Sequence, residues 1–139
     1  MSIASIEVGT KGRRVYIGKL AGTGVFDPLG DQVGKIHDVV VIFRLKSEAN
    51  VIGFVVEVGP RKRVFLPLTR VTSIESGSVI TTGLLNIRTF TQRPIETLVL
   101  SELFDRVVTM NDGSGQVRII DVAMRQRRPK DWVISTLHV

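Results

Sequence analysis

The chain has 139 residues, 43% of them hydrophobic, a net charge of +6 and no cysteine. That is long and apolar enough for one domain, or two very small ones sharing a core, which excludes a disordered chain. The missing cysteine excludes a disulfide framework, thiolate chemistry and Cys-based zinc sites, and no stretch is apolar for long enough to span a bilayer or to form a secretory leader.

Periodicity along the chain gives strands and turns with little helix. Residues 1–14 form an N-terminal segment whose Ser2 to Val8 stretch, SIASIEV, is strand-like. Val15-Tyr16-Ile17 opens a short strand, Ala21 to Gly24 is a glycine turn, and Val25-Phe26 is a second short strand. Asp27-Pro28-Leu29-Gly30 is a turn: Pro pre-sets φ, Asp bonds the local backbone, and Gly accepts positive φ. Val33 to Phe43 is a long β-branched strand with both faces partly buried, and Val51 to Val58 returns beside it. A basic turn, Gly59 to Arg63, leads to the strand Val64 to Leu68, where Pro67 marks an edge or a bulge. Thr69 to Ser76 reads as a short helical turn or bend and Val79 to Thr82 as a short strand. Helix is expected only over Leu84 to Thr89 and Ser101 to Phe104, with Ser101 as N-cap of the second.

Many short strands between glycine turns predict a small barrel, because closure removes open sheet edges. Its expected core is Ile36, Val39, Val41, Phe54, Val56, Phe65 and Leu68, with Phe43 also inward. The run from Leu20 to Val41 recurs more weakly from Leu103, at a constant spacing of 83 that sets Leu20 on Leu103, Val25 on Val108, Ile36 on Ile119 and Asp38 on Asp121. One β-unit is therefore used twice. The expected organisation is the N-terminal segment 1–14, a first unit over 15–92 and a partial second unit over 93–139, in which Trp132 to Val139 matches Ile52 to Val58. The second unit lacks closing strands, so the chain is expected to be the front piece of a longer polypeptide; taken by itself, its edge needs a cover: the segment Ser2 to Val8, the first unit, or a second copy of the chain. The last is preferred, because an open edge at Trp132 to Val139 is self-complementary under two-fold symmetry.

Chemistry-bearing groups are sparse. His37 and His138 each stand alone in a strand pattern, and no nucleophile-base-acid set, P-loop or dinucleotide fingerprint occurs. No catalytic residue, metal ligand or cofactor is assigned. Asp27, Asp31 and Asp112 sit in turns, while Asp38 and Asp121 recur between apolar residues and are read as a structural pair bonding local backbone. Basic residues cluster at Lys11, Arg13 and Arg14, at Arg61, Lys62 and Arg63, and at Arg125, Arg127, Arg128 and Lys130; the last two clusters form the candidate contact surface. Six Phe, one Tyr and one Trp give too few exposed rings for base stacking, so nucleic acid is not the expected partner.

Val25 to Val41 (VFDPLGDQVGKIHDVVV), followed by VIGFVVEV and VFLPLTRV, resembles a PRC-barrel domain, the β-barrel shared by the photosynthetic reaction centre H subunit and the C-terminal part of the ribosome maturation factor RimM. The stretch from Arg63 to Arg106 resembles more closely the N-terminal PRC-barrel region of actinobacterial MgtE-type magnesium transporter-like proteins. The expected fold class is accordingly mainly β, a small PRC-type barrel followed by a second, partial copy. The resemblance implies a non-catalytic cytoplasmic regulatory or assembly module at the inner face of the membrane, part of a longer magnesium transporter-like parent. Its partners would be the parent's other domains, a second copy as a homodimer, or anionic lipid headgroups. The alternative it implies is an RNA- or ribosome-associated adaptor.

Overall fold

The computed structural model describes residues 5–7, 14–44, 48–75, 77–84, 87–109, 113 and 115–139. Lys11, Arg13 and Asp112 lie outside them. The strands are β1 (Ser5–Glu7), β2 (Arg14–Tyr16), β3 (Gly24–Phe26), β4 (Gln32–Ile42), β5 (Asn50–Glu57), β6 (Arg63–Pro67), β7 (Val71–Glu75), β8 (Ser78–Thr81), β9 (Thr97–Leu98), β10 (Val107–Thr109), β11 (Gln116–Arg118), β12 (Asp121–Arg128) and β13 (Asp131–His138). Single helical turns stand at Ile17–Lys19, Leu68–Arg70 and Val99–Leu103. The fold is mainly β: one sheet, curled into a half-barrel, runs β2-β12-β13-β5-β4-β3-β8-β7, and β10-β11 forms a small second sheet.

The spacing of 83 is present in the hydrogen-bond register. β4 sets Asp38 opposite Val55, Val39 opposite Phe54 and Val40 opposite Gly53, then shifts so that Val41 faces Val51. β12 sets Asp121 opposite His138, Val122 opposite Leu137 and Ala123 opposite Thr136, then shifts so that Met124 faces Ile134. Each pair is the other moved by the same spacing, down to the bulge, which falls at Ile52 in one unit and Ser135 in the other. β10 against β11 likewise repeats β3 against β4, with Val108–Val117 in the place of Val25–Gly34.

The two units are intertwined. The leading strand of the first, β2, pairs with β12 of the second, and the leading strand of the second, β9, pairs with β4 of the first. β5 and β13 meet where Asn50 faces Val133 and Val51 faces Trp132, closed by the Ile134 N–H donating to the Ala49 carbonyl. Exchanging the units maps the Asn50–Val133 pair onto itself, so an internal two-fold passes through it. One continuous core results, from Ile17, Val25, Ile36, Phe54 and Leu66 to Val122, Met124 and Trp132.

The edge of β13 is occupied within the chain. β5 covers its start, and β1 pairs Ser5, Ile6 and Glu7 with His138, Leu137 and Thr136. In the first unit β6 lies beside β5 with Phe65, Leu66 and Pro67 opposite Val55, Phe54 and Gly53. Shifted by the repeat, those are the positions held by β1. The N-terminal strand thus stands in for β6, and the self-complementary edge on which a homodimer was expected is not open.

Four local expectations are corrected. Phe65 is only half-buried, because β6 alternates and turns Val64 and Leu66 inward; its ring stacks on Phe90 at 6.4 Å under the Arg88 guanidinium. Phe43 follows the end of β4 and is 49% exposed. The described residues of 84–89 are not helical, and Thr89 bridges to Val64 instead. Ser101 lies inside the turn Val99–Leu103 and does not cap it.

Gly53 lies where β5 and β6 pass closely: a Cβ there would clash with the Leu66 carbonyl oxygen. Gly53→Ala must therefore part β5 from β6. The expected cost is about 1–3 kcal/mol, read as a fall in the urea midpoint at unchanged slope.

Candidate interaction surface

Two carboxylates hold the units together crosswise. Asp38, on β4 of the first unit, is fully buried. Its Oδ1 accepts from the N–H of Val39 at 2.8 Å and of Leu100 at 2.7 Å; its Oδ2 accepts from the N–H of Ser101 at 3.0 Å and the Ser101 hydroxyl at 2.6 Å. Asp121, on β12 of the second unit, accepts from the N–H of Val122 at 2.8 Å and of Gly18 at 3.0 Å. Under the repeat, Val122 matches Val39 and Gly18 matches Ser101. Each aspartate thus bonds its own strand and the turn that opens the other unit. The local bond follows the sequence reading; the long-range one is missed by it, because no sequence pattern shows that the turns are exchanged.

Charged groups also fix the approach to the turn Val99–Leu103. Glu102 accepts from the Leu98 N–H at 2.8 Å and from Gln92 Nε2 at 2.6 Å. The Leu98 bond and then the Gln92 bond hold its carboxyl below the ordinary value; burial opposes them, and Arg106 adds to the lowering. Carboxylates therefore serve the N–H groups of Leu98, Leu100 and Ser101.

The two basic clusters of the candidate contact surface are placed differently. Arg61 and Lys62 are exposed in the β5–β6 turn, Arg61 with φ of 64°, and Arg63 lies 3.8 Å from Glu57. Arg125 meets Glu48 at 2.8 Å, and Arg127 meets Glu48 at 3.3 Å and Asp131 at 3.1 Å. Arg128 also pairs with Asp131, at 3.1 Å. Burial pushes the Asp131 carboxyl up, but bonds from Arg127 and Arg128 outweigh it and leave it below the ordinary value. Lys130 donates to the carbonyls of Thr69 and Val71 at 2.8 and 3.1 Å, tying the β12–β13 turn to β7 at the far end of the sheet. Most of this cluster's charge is met inside the fold.

Elsewhere Asp27 closes its turn by accepting from the N–H groups of Leu29 and Asp31. His37 is half-buried on β4, and the His138 ring meets Tyr16 edge-on at 5.0 Å. Among the described residues no group of three His, Cys, Asp or Glu could hold a metal ion.

The units differ most at one face. In the first, β8 pairs with the outer edge of β3 in parallel, setting Val25 beside Val79, and Ile17, Leu20 and Val25 are fully buried in the core with Ile74 and Val79. Their counterparts Leu100, Leu103 and Val108 are only half-buried. Val107, at the position of Gly24, is 47% exposed, and Phe104 and Val117 nearby are also only half-buried. Among the described residues no strand pairs with the outer edge of β10.

Residues 97–139, well under half of the chain, match the family model described as Actinomycetes SH3 domain. No curated protein matches the chain. The match corrects the resemblance to PRC-barrel domains and to MgtE-type magnesium transporter-like proteins: the stretch read as a partial PRC-barrel copy is similar to a different family. The physical reason is that tight glycine turns and doubly buried β-branched strands recur in many small barrels, so a pattern of that kind reports architecture more than ancestry. The magnesium-transport reading and the inner-membrane location rested on that resemblance. Among the described residues no helix is long and apolar enough to cross a membrane.

Removing a buried acceptor leaves its donors unsatisfied, at about 1–3 kcal/mol each. Asp38→Ala is expected to cost about 3 kcal/mol or more and Asp121→Ala, at the more exposed site, about 1 kcal/mol. Amide hydrogen exchange checks the crossing: Asp38→Ala should release Leu100 and Ser101, and Asp121→Ala should release Gly18. Glu102 and Asp131 have lowered folded pKa values, so they stabilise the fold above the unfolded carboxylate range, and that contribution is lost as pH falls through the folded values. Stability should hold at neutral pH and decline below about pH 4, and Glu102→Gln should flatten this decline in pH-dependent urea melts.

Proposed function

We propose that the chain is a non-catalytic protein-interaction module, a duplicated half-barrel whose second unit presents a partly exposed apolar face to a partner. The observation that carries this reading is the difference between the two copies. Equivalent apolar residues are fully buried under β7 and β8 in the first unit and half-exposed in the second. A partly exposed apolar face beside a strand edge that no described strand pairs fits protein binding by strand addition. The pairing of Arg125, Arg127 and Arg128 with Glu48 and Asp131 favours a protein partner over a polyanion, since these charges already have counter-ions.

Panning a displayed random-peptide library over the immobilised full chain tests it. Enrichment of a shared sequence pattern that survives at 0.5 M salt is expected, because apolar contacts and main-chain bonds are little screened (Debye length about 4 Å at that salt). A flat selection, indistinguishable from an uncoated surface, would count against an interaction module.

A further inference from the structure

We propose that the outer face of β6, with residues 88–90 beside it, is a docking site for an acidic segment of another protein. Carboxylates of that segment would be held by Arg88, Arg63 and Lys62, and an apolar side chain would enter the hollow between Phe65 and Ile87. The site belongs to the first unit and uses none of the apolar face of the second.

The backbone builds this face by alternation. On β6, Val64 and Leu66 go to the core, while Arg63, Phe65 and Pro67 lie on the other side. Residues 88–90 run antiparallel along the strand: the Phe65 N–H donates to the Arg88 carbonyl, the Phe90 N–H donates to the Arg63 carbonyl, and Thr89 bridges to Val64. Arg88 therefore stands across from Phe65, and Phe90 across from Arg63. The two rings stack at 6.4 Å, and the exposed Arg88 guanidinium lies 4.6 Å over the Phe65 ring. A guanidinium held over a ring keeps its in-plane N–H edge for a carboxylate, which it can bind through two parallel bonds. Beside it Phe65, Pro67, Arg70, Ile87 and Arg88 line a hollow of about 280 Å³.

Charge complementarity identifies the occupant. Of the two basic clusters of the contact surface, the one on β12 and its turn is answered inside the fold by Glu48, Asp131 and the carbonyls of Thr69 and Val71. The one beside β6 is not. Among the described residues Lys35, Arg61, Lys62 and Arg88 pair with no carboxylate. Glu57 stands between Lys35 and Arg63 in the cross-strand register, 3.8 Å from Arg63, and an exposed pair of that kind is weak. An acidic segment supplies the missing carboxylates together with a side chain for the hollow. A nucleic-acid strand fits less well. It needs successive open rings, whereas Phe65 is already covered by Arg88 and stacked on Phe90.

The probe is the synthetic peptide EEDLFDEE, with its amide counterpart QQNLFNQQ as control. Titrated into the isotope-labelled full chain, the acidic peptide should shift the amides of Arg63, Phe65, Arg88 and Phe90. Its binding should weaken as salt is raised from about 0.05 to about 0.5 M, and the amide counterpart should bind at least about tenfold more weakly. Arg88→Gln should also cost about tenfold while the rest of the amide spectrum is kept. Arg118→Gln removes the same charge at an exposed site on β11 and should change binding by less than about twofold. Arg88→Lys keeps the charge but loses the planar fork, so it should bind as weakly as Arg88→Gln.

Shifts elsewhere than on this face, equal binding of the two peptides, or equal losses in Arg88→Gln and Arg118→Gln would overturn the site, because net charge alone would then be at work. Wild-type affinity in Arg88→Lys would overturn the stacked guanidinium on which the site is built. Tighter, Arg88-dependent binding of a short oligouridylate or of phosphatidylserine vesicles would overturn the occupant.

Discussion

The reciprocal aspartates are the constraint on which the remaining architecture depends. A buried carboxylate is stable only when its oxygens are fully hydrogen-bonded, and Asp38 meets that demand with donors 62 and 63 residues away. Asp121, half-buried, accepts one such long-range bond, from Gly18 of the opposite unit. Each aspartate thus draws one donor from its own strand and the rest from the turn that opens the other unit. The exchanged strands β2 and β9 follow from this, since each delivers the turn that the other unit's carboxylate requires.

A two-fold arrangement built from one chain need not stay symmetric, and here it is the asymmetry that points to function. The first unit has β6, β7 and β8; the second has β1 in the position of β6 and no described counterpart of β7 and β8. The core stays continuous through Val122, Met124 and Trp132, and the lesser burial of the second unit falls on β10, β11 and the turn before them. Ser101 and Gly18 show the same drift: the hydroxyl that gives Asp38 a fourth bond is absent at Gly18, where a Cβ would come within 3.0 Å of the Asp121 carboxylate. Copy two keeps the frame of copy one and changes what lies on it.

The surface charge illustrates how composition misleads about partners. A net charge of +6 invites a polyanion, yet Lys130 is bonded to two carbonyls that lie at the start of the last strand of the sheet, and three arginines share Glu48 and Asp131. The basic residues of β12 and its turn help to hold the ends of the half-barrel together. Exposed surface ion pairs contribute little singly, but shared acceptors fix side-chain geometry more than isolated pairs do.

The sequence by itself determined the class of fold and the repeat. Short β-branched runs between glycine turns can bury themselves only as strands, and a constant spacing of 83 carries register, so β4, β5, β6 and β8 and the equivalence of Asp38 and Asp121 were legible from residues alone, whereas β7 was read as a helical turn or bend. Alternation was legible in principle at β6, where taking every aromatic as core put Phe65 on the wrong face. The tertiary structure alone decided which unit each strand joins, because hydrophobic pattern fixes the face a strand buries and says nothing of its neighbour. It therefore decided that Leu100 and Ser101 belong to Asp38, that β1 replaces β6, and that Val108, apolar like its counterpart Val25, is half-buried where Val25 is fully buried.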